Sequence, residues 1–187
     1  RWSFFTYLGA IAIGTGLLAL PAARAPAQPP LTLVDAAFTA TSARCVTGLT
    51  VRSTVEDFSP FGQGVILVLI QLGGLGIMTI TTLLLFQIGG EATVRQRAVI
   101  AETLGIKSAQ GLRQLALMVF VVVLSAELIG FLLLTAATWG SREPLEVIWR
   151  AAFHSVSAFC NAGFSLGDDS LTAYSTDIPV NLIICGL

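Results

Sequence analysis

Val46-Thr47-Gly48-Leu49 and Asn161-Ala162-Gly163-Phe164 are two stretches of this chain whose useful chemistry lies in the backbone. Each is a short loop around a glycine. Glycine admits backbone angles closed to other residues, so successive carbonyl oxygens can be turned to one side. A row of such oxygens can replace the hydration shell of a bare cation, as in a channel filter. The residues before each loop, DAAFTATSARC at 35–45 and RAAFHSVSAFC at 150–160, read as short helices. The partly negative carboxyl end of each helix would then point toward the ion.

The two loops belong to an internal repeat, 35–51 and 150–166. Superposing Gly48 on Gly163 pairs Ala36 with Ala151, Ala37 with Ala152, Phe38 with Phe153, Ser42 with Ser157, Ala43 with Ala158 and Cys45 with Cys160. Each copy is too short to cross a bilayer and sits between apolar runs that are long enough. That is the layout of a re-entrant pore segment.

Other reactive side chains assemble no competing site. His154, the one histidine, is adjacent to Ser155, so the two point to different sides of a helix and lack an orienting third group. Its expected role is a bond to neighbouring backbone. His154 with Cys160 lacks the further ligands that zinc takes. Cys45, Cys160 and Cys185 have neither zinc spacing nor the density of a disulfide scaffold, and read as buried small residues. Gly73, Gly74 and Gly76 (QLGGLG) superficially match a dinucleotide fingerprint, but there is no flanking strand. They read as close-packing glycines, with a gating hinge as the alternative.

Composition sets the environment in which these loops must work. The chain is 55% hydrophobic and 11% charged, with a mean hydropathy of +0.83, where a soluble domain carries about 25% charge. An integral membrane protein is implied, and no basic patch suits nucleic acid. Residues 2–20 form a first span, ended by Pro21 and a proline-rich linker with Pro26, Pro29 and Pro30. A cleaved signal peptide is the rival reading, although a signal core is usually ~7–15 residues. Thr32 or Asp35 can cap the first short helix, which is expected to run to about Ala43. Residues 61–88 and 115–139 are the second and third spans, and a fourth begins at Pro179 and is cut short in IPVNLIICGL.

The connector at 89–114 holds Arg95, Arg97, Lys107 and Arg113 and is therefore cytoplasmic by the positive-inside rule. Both glycine loops then enter from outside, where Glu56, Asp57, Asp168 and Asp169 would concentrate cations at the mouth. Two charges need explaining. Arg44, at the end of the first short helix, would repel cations if it faced the path; its attraction to the helix carboxyl end favours a structural position behind the loop. Glu127, an acid within the third span, is open to a structural role or an ion-path role.

The segments DAAFTATSARCVTGL, FGQGVILVLIQLGGLGIMT and AAFHSVSAFCNAGFS resemble the Trk/Ktr/HKT superfamily of potassium transporters, most closely the membrane subunits of Ktr-type systems. The resemblance implies four fused helix, pore loop, helix units around one ion path. This chain would hold two of the four: 1–88 as the first, 89–114 as connector and 115–187 as the second, making it an amino-terminal fragment. It implies that Gly48 and Gly163 are filter glycines, with Gly48 going with potassium preference. It also implies a dimeric membrane subunit and a cytoplasmic ring of nucleotide-binding regulatory subunits. The expected protein is thus an all-α, multi-pass cell-membrane protein for potassium uptake. It is not an enzyme, and it needs no tightly bound cofactor. The rivals are a non-conducting membrane interaction subunit and a sodium-permeable transporter of the same family.

Overall fold

A computed structural model of the chain describes residues 2–26, 28–88, 109–167 and 170–187. Most of the basic connector, up to residue 108, lies outside them, as do Asp168 and Asp169. Among the described residues the fold is all-helical: α1 (Trp2–Leu18), α2 (Leu33–Cys45), α3 (Pro60–Ile88), α4 (Ala109–Thr138), α5 (Pro144–Phe159) and α6 (Ile178–Gly186), with 3-10 turns at Pro21–Ala23 and Thr172–Tyr174. The third apolar helix starts at Ala109, so residues 109–114 of the expected connector are helical. No breaker separates them from the apolar run.

Local signals account for the helix starts. Thr32 and Asp35 both cap α2, as a reciprocal box: the Asp35 N–H donates to Thr32 Oγ1 at 3.1 Å, and the Thr32 N–H to Asp35 Oδ2 at 3.3 Å. Pro144 opens α5, whose first turns carry Arg142–Glu146 and Glu146–Arg150 ion pairs at i,i+4 spacing. The proline-rich linker is not wholly free chain. Its start is pinned before α3 by the Ala25 N–H donating to the Asp57 carbonyl (2.9 Å) and the Ser59 N–H to the Ala23 carbonyl (3.0 Å).

The chain divides into two compact units, 1–74 with 126–187, and 75–125. In the first, one core takes Leu18, Ala36, Ala40, Phe58, Ile66, Leu69 and Ile70 together with Phe153, Ala162, Phe164 and Leu166. A smaller cluster joins Leu134 of α4, Ala151 of α5 and Val180 of α6. Trp149 Nε1 of α5 donates to Gln63 Oε1 of α3 at 2.7 Å, while Gln63 Nε2 donates to the Thr54 and Phe58 carbonyls. Residues 1–74 and 126–187 are therefore packed together within the first unit. In the second unit Val123 is buried, whereas Leu117, Val121 and Leu124 are exposed.

The polarity of the surface is the reverse of a soluble protein's. Leu128, Ile129, Leu132 and Leu133 of α4 are exposed, while Glu127 on the same helix is 5% exposed. Thr39, Ser42, Gln63, His154, Ser155 and Ser157 are also buried. Among the described residues two helices are long and apolar enough to cross a membrane, within Pro60–Met78 and Leu117–Thr138. The described apolar part of α1 is shorter, Phe5–Leu18.

Candidate functional site

The two glycine loops have the same backbone. Helix α2 runs through Cys45, two residues past the expected end, and closes with the Val46 N–H donating to the Ala43 carbonyl (3.2 Å) and the Thr47 N–H to the Ser42 carbonyl (3.0 Å). At the end of α5, the Asn161 N–H donates to the Ala158 carbonyl (2.9 Å) and the Ala162 N–H to the Ser157 carbonyl (2.7 Å). Each pair forms a Schellman cap, with a left-handed residue just past the helix. Val46 has φ 56° and Asn161 φ 54°. Asparagine tolerates this region; for β-branched valine it is strained, and such strain costs about 1–3 kcal/mol.

Two residues further on, Gly48 and Gly163 also take positive φ, 71° and 72°. There the loops meet. A Cβ added to Gly48 would lie 2.7 Å from the Ala162 carbonyl oxygen and 3.0 Å from Gly163 Cα, and one added to Gly163 would lie 3.1 Å from Gly48 Cα. Gly48 has no room for a side chain, and one at Gly163 would press on the Gly48 backbone. Of the expected filter residues, Gly48 is thereby brought against Ala162 and Gly163. Ala162 and Phe164 are buried and Leu49 is exposed, and the Phe164 carbonyl accepts from Ser157 Oγ at 2.6 Å.

Different side chains brace the two loops. Past the first, Arg52 reaches back to Asp35 Oδ2 with Nε at 3.2 Å and Nη2 at 3.1 Å. Desolvation pushes the Asp35 carboxyl up, but the bonds from Arg52 and Thr32 outweigh it and hold it below its ordinary value. Past the second, His154 Nε2 accepts from the Leu166 N–H at 3.2 Å and lies 3.1 Å from Ser165 Oγ. The histidine thus bonds neighbouring backbone. Beside the loops is a polar cavity of about 380 Å³ lined by Thr50, Arg52, Ser53, Asp57, Gly163 and Ser165 among others.

Arg44 is buried, its guanidinium carbon 4.0 Å from the centre of the Tyr7 ring, and Tyr7 donates its hydroxyl to the Arg44 carbonyl at 2.8 Å. Its Nε and Nη1 have no hydrogen-bond partner among the described residues. Gly73 and Gly74 are contact points: a Cβ on Gly73 would fall on the Arg44 carbonyl, and one on Gly74 on Cys160 Sγ. These contacts support the packing role for both. Gly76 lies further along α3 and is half-buried. Of the cysteines only Cys160 is buried; Cys45 is half-buried, and Cys185 is exposed because α6 packs along one face only.

Tyr7 and Gln71 were not singled out in the sequence. Gln71 carried the one available signal, an amide inside an apolar helix, and its Nε2 donates to both Glu127 oxygens at 2.9 and 3.0 Å.

All-helical architecture, exposed apolar helix faces and buried polar groups are the features of a membrane protein. Residues 10–186 match the family model of TrkH, described as "Cation transport protein". The chain belongs to this family of transporters. It is 40% identical over 93% of its length to Ktr system potassium uptake protein B of Bacillus subtilis, and 38% identical over 100% to the protein of the same name in Vibrio alginolyticus. It is 36% identical over 82% of its length to potassium/sodium uptake protein NtpJ of Enterococcus hirae. The chain covers 38%, 40% and 34% of those three relatives.

Proposed function

We propose that this chain carries two pore loops of a potassium uptake protein, in which carbonyls near Gly48 and Gly163 form part of a selectivity filter. The observation that carries this reading is the backbone contact of the two glycines, each at the end of an identically capped short helix. Nothing at that contact but backbone is available to meet an ion, and carbonyl oxygens suit a dehydrated cation. The ion sheds water at the outer cavity, passes the loops and descends a path flanked by α3. No bond in the substrate is made or broken.

Two loops do not close a ring of carbonyls, so the reading takes repeats 1–88 and 115–187 as two of four around one path. It takes the cell membrane as the location, with 89–114 cytoplasmic and both loops entering from outside. A homodimer of membrane subunits with a cytoplasmic nucleotide-binding regulatory subunit fits relatives named for a Ktr system. A sodium-permeable pore is the second reading, favoured by the potassium/sodium relative. A non-conducting subunit has no need of two loops matched in backbone angle.

The test is growth and ion uptake under potassium limitation by the full-length protein, compared with Gly48→Ser and Gly163→Ser. Loss of uptake or a shift toward sodium in these variants is expected. Unchanged uptake and selectivity in both would sink the filter assignment.

A further inference from the structure

Glu127 is the only acidic residue in α4. Among the described residues no ion pair reaches it. Its partners are neutral: Gln71 Nε2 donates to both oxygens, and Cys160 Sγ approaches Oε1 at 3.9 Å. The Glu127 main-chain carbonyl accepts from Ser155 Oγ at 2.6 Å. Both α5 partners bear on the second loop. Cys160 caps α5 and directly precedes the left-handed Asn161; Ser155 lies a little over one turn upstream.

The two helices flanking α5 are cut to admit those same side chains. On α3, Gln71 is followed three residues later by Gly74, where a Cβ would fall on Cys160 Sγ. On α4, Glu127 is followed three residues later by Gly130, where a Cβ would lie 2.6 Å from both Leu187 Cδ1 and Ser155 Oγ. Residues three apart share a helix face, so each helix presents one polar group and one notch to α5. The repeat makes the arrangement specific to the second loop. With the glycines superposed, Glu127 pairs with Ala12, Ser155 with Ala40 and Cys160 with Cys45, so the first loop has no counterpart of the acid or the serine. Tyr7 and Arg44 brace it instead.

We infer that Glu127 is a positioning residue for the second glycine loop: with Gln71 it locks the carboxyl end of α5, through Cys160 and Ser155, and so sets how that loop discriminates among cations. This rests on the filter reading proposed above. Burying a carboxylate among neutral donors is costly. An apolar residue would pack α4 at less cost but would leave the end of α5 unregistered.

The experiment measures the potassium to sodium uptake ratio per transporter molecule of the full-length protein in cells lacking their own potassium uptake. Glu127→Ala and Gln71→Leu should lower the ratio about tenfold, the scale of one hydrogen bond to a charged group. Glu127→Gln, which keeps an acceptor for Gln71, should stay within about twofold of wild type, inside the factor that one such bond represents. A merely structural acid would change the amount of protein in the membrane and leave the ratio alone. Should Glu127→Ala fail to accumulate, Gln71→Leu decides by itself. An unchanged ratio in the variants that accumulate, or a loss in Glu127→Gln as large as in Glu127→Ala, overturns the inference. Gly48→Ser run alongside separates the two claims. If it alters the ratio while the Glu127 and Gln71 variants do not, only the positioning role falls; if it and Gly163→Ser are both silent, the filter reading falls.

Discussion

Gly48 and Gly163 touch through their main chains, with a Cβ on Gly163 only 3.1 Å from Gly48 Cα. Both stand two residues past a left-handed helix cap and both have φ near 70°. The pair therefore needs glycine twice over, for its backbone angle and for its space. Gly140 needs it once: its φ is 85°, and nothing lies within 4 Å of an added Cβ. Gly140→Ala should bear only the left-handed penalty, about 1–2 kcal/mol, and keep cation uptake. Gly48→Ala adds a clash with the Ala162 carbonyl and should abolish uptake. Thermal unfolding and potassium uptake of the two full-length variants check this.

Arg44 should be replaceable. Its guanidinium is buried with two nitrogens unbonded among the described residues, and its ring contact with Tyr7 returns about 2 kcal/mol. Arg44→Met retains much of the volume and removes the unmet donors. The expected result is equal or higher Tm with uptake retained. A collapse of uptake at normal protein levels would instead make the charge part of the ion path.

Asp35 ties the start of α2 to Arg52 beyond the first loop. Since its folded carboxyl sits below its ordinary value, its contribution is present above the unfolded value, about 3.9, and is lost as pH falls through the folded one. Asp35→Asn should therefore lower Tm at neutral pH, and the gap from wild type should close on acidification. A gap that is independent of pH would remove the ion pair from the account.

Glycines of α3 should separate by what they face. Gly64→Ala meets only Trp149, 4.0 Å away, and should gain about 1 kcal/mol of helix stability with uptake intact. Gly73→Ala drives a methyl into the Arg44 carbonyl at the end of α2, and Gly74→Ala drives one into Cys160. Both should lose uptake with smaller losses of protein in the membrane. Equal tolerance at all three positions, scored by uptake per molecule, would dissociate α3 packing from the loops.

The local parts of this molecule were legible because their causes are local. The repeat at 35–51 and 150–166, the capping residues Thr32 and Asp35, the apolar runs and the glycine loops all follow from residue type and spacing. They settle an all-helical chain suited to a bilayer, and the resemblance they carry matches the family found. What spacing could not supply was which residues far apart would meet. No periodicity relates Tyr7 to Arg44 or Gln71 to Glu127, since each pair joins different helices and depends on how those helices pack. Glu127 was visible as an acid in an apolar helix, but its partners Gln71 and Cys160 were not. The Tyr7 partner of Arg44 was likewise out of reach. Chain-local energetics determined the helices, caps and loops. Tertiary packing decided that the two glycines face each other and which buried polar groups hold them, because those energies arise only once desolvated surfaces are brought together.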